Sequence, residues 1–237
     1  MISEGDILES SCLQVDLIYI DPPFFTQRNF GDFEDRWDSM ETYLEYVTSR
    51  ISAGWDLLND NGNFLLHVDY RTAHKYREWF EQNLPQATLQ NEIIWKYNSG
   101  GASKRRLSRK HDTILWYTKG DQYTFNAIRE PYPRNYGDRP GFNPDGKLLS
   151  DVWTDIGIMS TTSKERVYST QKPLELLKRC VLLFSNEGDT VLDFFAGSGT
   201  TGVAARLLNR NYVLMDINPE AVEIAKSRIS GLQELGL

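Results

Sequence analysis

Thr190-Val191-Leu192-Asp193-Phe194-Phe195-Ala196-Gly197-Ser198-Gly199-Thr200-Thr201-Gly202 is the stretch that decides how this chain folds. Its first half is apolar and partly β-branched, which predicts a buried strand over 190–195. Gly197, Gly199 and Gly202 match the Gly-x-Gly-x-x-Gly spacing between a strand and a helix, here predicted over 200–209. Tyr212-Val213-Leu214-Met215-Asp216 predicts a second strand, ending in an acid about where a ribose-binding carboxylate belongs, and Pro219 starts a last helix. Glycines let a ligand approach the backbone closely, and the acid can accept from both ribose hydroxyls. A dinucleotide would place its pyrophosphate at the helix N-terminus, whereas S-adenosylmethionine, which has no phosphate, needs only the close approach and the acid. The glycines fit either cofactor, and a purely structural glycine turn as well.

Far upstream, Val15-Asp16-Leu17-Ile18-Tyr19-Ile20 predicts another buried strand, stopped by Asp21-Pro22-Pro23-Phe24. In an open α/β sheet, ligands bind beyond the carboxyl ends of the strands, so Asp21 is aimed at a ligand. The prolines stiffen the turn and, lacking N–H groups, offer only carbonyl acceptors. A carboxylate beside fixed carbonyls suits an amino group with two hydrogens to donate, and the Phe24 ring can stack on the planar group carrying it. Asp-Pro-Pro also ends strands for turn reasons alone. Asp38 and Glu41 stand at capping-box spacing ahead of a helical repeat at Tyr43, Leu44, Val47, Ile51, Trp55 and Leu58. Asn59-Asp60-Asn61-Gly62 reads as a turn, Phe64–Val68 as a strand, 71–83 as a helix and Glu92–Tyr97 as a third strand. That rhythm predicts a parallel, doubly wound sheet. It lapses over about 98–170, where Thr113–Tyr117 is one more strand in a Pro- and Gly-rich segment that fits a lid, a recognition insert or partial disorder. The loop 25–37, with Phe25, Arg28, Phe30 and Trp37, fits a clamp over a ligand or aromatics packed beneath the first helix.

The 237-residue chain can bury a full core as one α/β domain, with 40% hydrophobic and 25% charged residues. No apolar run nears the roughly 18 residues of a membrane span, and the N-terminus lacks a basic-then-apolar pattern, so no membrane partner and a cytoplasmic location are expected. Cys12 and Cys180 are too few for a disulfide framework, and no His/Cys spacing suits a metal. The net charge of −7 is unevenly spread: residues 98–141 hold nine basic and four acidic side chains, a local +5 against −12 elsewhere. Within it Lys104, Arg105, Arg106, Arg109 and Lys110 form a candidate polyanion footprint, or a solvated loop.

Leu192 to Thr201 resembles the methyl-donor motif of amino-group DNA methyltransferases, and Asp21-Pro22-Pro23-Phe24 resembles their catalytic motif. Catalytic motif, basic insert, then donor motif is similar to the beta-class order of that family, with Gln171-Lys172-Pro173 matching the segment that precedes the donor motif. The resemblance implies a Rossmann-like, circularly permuted methyltransferase fold in one domain: a catalytic half at 1–97, a target-recognition insert at 98–170 and a cofactor half at 171–237. It implies S-adenosylmethionine bound by Asp193, Phe195, Gly197 and Gly199, with Thr200 and Thr201 at the helix start, Asp216 on the ribose and Lys172 on the methionine carboxylate. Asp6 matches a Gly-Asp motif near the adenosine, although a helix cap explains it equally well. Asp21, Pro22, Pro23 and Phe24 would hold the target amine.

Two features depart from the family pattern. Phe24 stands where Tyr is usual, and the strand leading into Gly5-Asp6, central in the family pattern, is reduced to Met1–Glu4. Asp-Pro-Pro is associated with adenine enzymes and Ser-Pro-Pro more often with cytosine ones, so adenine N6 in duplex DNA is the expected target. Cytosine N4 is the nearest rival, followed by a protein or small-molecule methyltransferase and a non-catalytic DNA- or NAD-binding protein. The resemblance also brings in a cognate restriction endonuclease and a homodimer as partners.

Overall fold

A computed structural model describes residues 1–237 apart from 10–12, 32, 99–101, 133–139, 161 and 235–237. Cys12, Arg134 and Arg139 therefore lie outside the described residues. The chain opens with β1 (Ile2–Glu4), a 3-10 turn at Ile7–Glu9 and β2 (Val15–Ile20). A small antiparallel ribbon, β3 (Arg28–Asn29) with β4 (Glu34–Asp35), precedes α1 (Met40–Leu57). Then come β5 (Leu58–Val68), α2 (Ala73–Asn83), β6 (Thr88–Lys96) and β7 (His111–Thr118). A second ribbon, β8 (Arg129–Glu130) with β9 (Lys147–Leu148), leads to β10 (Val152–Trp153). The C-terminal part is α3 (Leu174–Phe184), β11 (Thr190–Asp193), α4 (Thr200–Leu207), β12 (Asn211–Asp216) and α5 (Pro219–Glu234).

Eight strands form one sheet in the order β1-β12-β11-β2-β5-β7-β6-β10. Every neighbouring pair is parallel except the two that involve β7. The purely parallel sheet expected from the strand-helix rhythm is thus broken once. The cause is local: no helix is described between Lys96 and His111, and a strand that returns without a crossover helix must pair antiparallel. Because β7 and β10 belong to the main sheet, part of segment 98–170 is built into the core of the fold.

Strand β2 shows why the central strands read as unbroken apolar runs. Ile18 and Ile20 pack with Tyr43, Val47, Ile51 and Trp55 of α1, whereas Leu17 and Tyr19 pack with Leu176, Leu177 and Cys180 of α3. With helices on both faces, both side-chain sets of the strand must be apolar. Two boundaries differ from expectation. Ser39, not Asp38, caps α1, its Oγ accepting from the Thr42 N–H at 3.1 Å. Asn59–Gly62 do not end an element, because β5 begins at Leu58 and absorbs them as an irregularity: Val15 pairs with Leu58, but Leu17 already pairs with Asn63. Their turn tendency is expressed as a bulge.

The strand leading into Gly5 is also placed differently. β1 pairs with β12 at the margin of the sheet, so its shortness trims an edge and leaves the centre intact. The centre is the β2–β11 pair, where Leu17 and Ile18 lie opposite Val191 and Leu192. From there the chain continues outward in opposite directions, through α4 to β12 and through α1 to β5. That reversal opens a crevice at the strands' carboxyl ends, where open α/β sheets bind ligands.

Candidate active site

Asp21 and Phe194 leave the ends of β2 and β11 and line a cavity of about 400 Å³ over this crevice. A smaller cavity of about 60 Å³ adjoins it, and Asp21, Tyr168, Lys172, Phe195 and Gly197 line both. The large cavity is walled by aromatics, among them Phe24, Phe30, Phe33, Trp37, Tyr46, Phe194 and Phe195. Its charged lining is mostly acidic: Asp6, Asp21, Glu34, Asp35 and Asp216 against Arg50 and Lys172.

The turn after β2 is held from several sides. Asp21 Oδ2 accepts from the Lys172 ammonium, while Oδ1 is buried and has no hydrogen-bond partner among the described residues. The Pro23 carbonyl accepts from the Tyr43 hydroxyl at 2.6 Å, and Tyr43 in turn accepts from Tyr76 at 2.7 Å. This leaves the Pro22 carbonyl as the acceptor beside Asp21. The Phe24 ring lies 5.8 Å from the ring of His67, and the Lys172 Nζ lies 5.0 Å from its centroid. His67 is fully buried, with Nδ1 2.7 Å from the Tyr19 hydroxyl and Nε2 3.4 Å from Asp112 Oδ2. Burial would raise the Asp112 carboxyl, but attraction to His67 and Lys172 and the hydrogen bond from Tyr97 outweigh it and hold the group low. Phe24 therefore rests on a buried histidine set between the Tyr19 hydroxyl and the half-buried Asp112–Tyr97 pair.

In the C-terminal half, the glycines do different work. Gly197 has φ +49° and faces the cavity, with the Tyr168 ring 3.7 Å from where a Cβ would stand. Gly199, at φ +73°, faces away: a Cβ there would meet the Cβ of Ala225 at 2.6 Å. It serves the packing of α4 under α5 rather than lining the cavity. Asp216 Oδ2 accepts from the Gly197 N–H at 2.8 Å and Oδ1 from the Asn218 N–H at 2.9 Å, and burial raises its carboxyl. Thr200 and Thr201 line the smaller cavity with Asp193. Asp6 pairs with Arg50, whose guanidinium stacks 3.5 Å from the centroid of Tyr46. Asp6 Oδ1 also accepts from the Leu8 N–H at 3.2 Å, and Asp6 lines the large cavity.

Asp193 ties the turn together, accepting from Thr201 Oγ1 at 2.5 Å and from the Phe195 N–H at 3.0 Å. Burial pushes its carboxyl up to about 7. Between about pH 4 and 7 the folded protein thus keeps a proton that the unfolded chain releases, so this group makes stability fall as pH rises through that window. Urea unfolding at pH 5 and pH 8 is expected to show a larger loss in the wild type than in Asp193→Asn, by up to roughly 3 kcal/mol. Equal losses would show that Asp193 does not titrate in this range.

Phe25 and Trp37 pack at 5.4 and 5.3 Å from the Tyr43 ring, and Phe30 and Phe33 stack at 5.1 Å along the cavity wall. Arg28 is exposed. Lys104, Arg105, Arg106 and Arg109 are exposed and Lys110 is half-buried, on the connection from β6 to β7. β6 runs parallel to β2, so this connection emerges at the same sheet edge as Asp21. Arg109 lies over the ring of Tyr70 at 3.6 Å. Among the described residues, no group of three His, Cys, Asp or Glu side chains is arranged to hold a metal, and no helix is long and apolar enough to cross a membrane.

A family model described as DNA methylase, for N6 and N4 enzymes, matches residues 15–227. The chain belongs to the N6/N4 DNA methylase family. It is 33% identical to the type II methyltransferase M.HpaI of Haemophilus parainfluenzae, over 91% of this chain and 68% of the relative. It is 30% identical to M1.MboII of Moraxella bovis, over 92% of this chain and 90% of the relative. Among solved structures, a complex of M1.HpyAVI with SAM aligns with a TM-score of 0.61 at 25% identity, covering 91% of this chain and 90% of that one. The cytosine-N4-specific PvuII DNA methyltransferase aligns with a TM-score of 0.70 at 16% identity, over 95% and 84%, and so shares the fold.

In this DNA methylase, several residues around the cavity carry no signal in the sequence. Asp35 is 1% exposed and its carboxylate accepts four hydrogen bonds, from the Phe24 and Thr26 N–H groups, Thr26 Oγ1 and Trp37 Nε1. Read in sequence, it is one charge among Glu34, Asp35 and Arg36. Arg228 of α5 donates to the Ser198 carbonyl and to Thr200 Oγ1, bracing the glycine turn from behind. Arg50 and Tyr46 sit in a regular helix, and their joint role at Asp6 follows only from the packing of α1.

Proposed function

We propose that this DNA methylase transfers a methyl group from S-adenosylmethionine to the exocyclic N6 of an adenine flipped out of duplex DNA. The observation that carries the reading is Asp21 Oδ1: a buried acceptor without a partner among the described residues, at the carboxyl end of β2, beside the Pro22 carbonyl and the Phe24 ring. The cofactor reading draws on the cavity's chemistry. Its volume lies in the range of small-molecule sites. A lining of five carboxylates and two cations opposes a pyrophosphate and suits a cationic sulfonium ligand. Asp216, at the end of β12, keeps lone pairs for ribose hydroxyls beyond its two backbone bonds. Asp6, Lys172, Asp193, Phe195, Gly197, Thr200 and Thr201 complete the proposed cofactor site, and Gly199 shapes its turn. The exposed Lys104–Lys110 loop is the proposed contact to DNA phosphates.

When bound, S-adenosylmethionine supplies an activated methyl on a sulfonium. The protein's task is to make a poor nucleophile attack it. An exocyclic amine delocalises its lone pair into the ring. Asp21 Oδ1 and the Pro22 carbonyl, accepting its two hydrogens, favour a pyramidal nitrogen whose lone pair points along the transfer line. The Asp21 carboxylate also stabilises the positive charge that develops on that nitrogen. Phe24 offers a stacking face that offsets part of the unstacking cost, roughly a few kcal/mol.

The adenine assignment rests on resemblance to the Asp-Pro-Pro enzymes of the family. Methylating RNase-treated duplex DNA with labelled cofactor and identifying the modified nucleoside tests it. N6-methyl-2′-deoxyadenosine is the expected product, and N4-methyl-2′-deoxycytidine would replace adenine with cytosine. Absence of label in DNA would remove the substrate reading altogether.

A further inference from the structure

The ammonium of Lys172 crowds the place proposed for the target base: it holds the second oxygen of the carboxylate whose Oδ1 is proposed to take the amine. It donates to Asp21 Oδ2 and lies 5.0 Å from the Phe24 centroid, with 15% of the lysine side chain and 17% of the aspartate exposed. Lysine and a base amine are both N–H donors, and each meets the same carboxylate and the same ring. Resemblance had placed Lys172 on the cofactor's methionine carboxylate instead.

The two placements exclude each other during transfer. Methyl transfer builds positive charge on the amine next to a sulfonium that is already positive. An ammonium left about 4 Å from that centre would slow the step by roughly 10³-fold at an effective dielectric constant of about 20. Lys172 also has somewhere to go. It lines both cavities, and the smaller one lies at the N-terminus of α4, bounded by Ser198, Thr200 and Thr201. The positive end of a helix dipole suits a carboxylate at that position. A four-carbon stem lets Nζ turn between neighbouring cavities without moving the backbone.

We infer that Lys172 is an exchangeable placeholder: it holds Asp21 Oδ2 near the Phe24 ring until a carboxylate in the smaller cavity draws it away and clears the space for the target base. The inference rests on the function proposed above. Its consequence is positive coupling between two ligands. The cofactor does more than deliver a methyl group, because its carboxylate removes the competitor of the flipped base. By linkage, a bound target base tightens the cofactor to the same degree.

The test measures DNA binding without turnover, using a duplex that the enzyme methylates, S-adenosylhomocysteine, which carries the carboxylate, and 5′-methylthioadenosine, which lacks it. With wild type, S-adenosylhomocysteine is expected to tighten duplex binding at least 10-fold and saturating 5′-methylthioadenosine less than 2-fold. Lys172→Met is expected to bind the duplex alone about as tightly as the wild type with S-adenosylhomocysteine, and to lose the coupling. Lys172→Arg, which keeps the cation, should retain most of it and controls for folding. Weaker duplex binding by Lys172→Met, or equal tightening by both nucleosides, would overturn the placeholder role. If the wild type bound no duplex at all, the proposed function would fall, and this inference with it.

Discussion

Asp21→Ala is expected to lower the rate constant for methyl transfer by about 10³-fold and to change S-adenosylmethionine affinity less than about 3-fold. The asymmetry follows from position. The variant loses the buried Oδ1 acceptor at the end of β2, and with it the carboxylate that faces the charge developing on the amine. Asp216, the proposed ribose acid, and the aromatic walls of the cavity are untouched, and they carry the proposed grip on the cofactor. Removing the carboxylate also releases Lys172, which can then stay with the cofactor. Single-turnover transfer to DNA and calorimetric titration of the cofactor separate the two effects. Near-normal transfer would take Asp21 out of the chemistry, whereas a parallel collapse of cofactor binding would make its role structural.

The second large effect is expected at Asp35, which touches no reacting atom. Its carboxylate gathers donors from three residues at 2.7 to 3.2 Å and so fixes the path of the chain between Phe24 and Trp37. That path includes two non-glycine residues in the left-handed region, Phe25 at φ +57° and Gln27 at φ +59°. Such backbone persists only where surrounding bonds over-determine it. Asp35→Ala strands up to four donors, some in a half-buried region that water can partly reach, and should cost about 3 kcal/mol in urea unfolding. With the Phe24 ring no longer held, kcat/KM for DNA should fall by about 10²-fold. Asp35→Asn keeps an oxygen for the backbone donors but presents an amide N–H to Trp37 or Thr26, so it should recover only part of both losses. A stable, fully active Asp35→Ala protein would show that the turn is set by the prolines alone.

The elements that position the site were legible where local physics decides them. The apolar runs at 15–20 and 190–193 must be central strands, because only a sheet covered on both faces hides both sets of side chains. Asp21 and Asp216 were legible because a strand end fixes where its last acid points. Failures came where a partner distant in sequence decides. Nothing in the sequence near Lys172 tells that its ammonium meets a carboxylate 151 positions away. Asp35 drew no notice in the sequence because its four donors come from a loop with no periodicity. Gly199 fits the fingerprint yet serves α5, because close packing and close ligand approach select the same residue. The antiparallel β7 needed only the observation that no helix precedes it. Ser39 displaced Asp38 as cap by a single position, the usual uncertainty of a helix end.

The pairing of β2 with β11 has a consequence for how the enzyme comes into being. The two strands that flank the crevice are separated by most of the chain, and β1 finds its place only beside β12. A ribosome making this protein delivers Asp21 well before the glycine turn, so the emerging chain carries an uncovered flank on β2 until β11 follows. Such long-range closure is slow compared with helix formation and leaves a strand edge open to wrong partners meanwhile. Newly made chains should therefore acquire cofactor binding and protease resistance together, in one step once β11 and β12 have emerged.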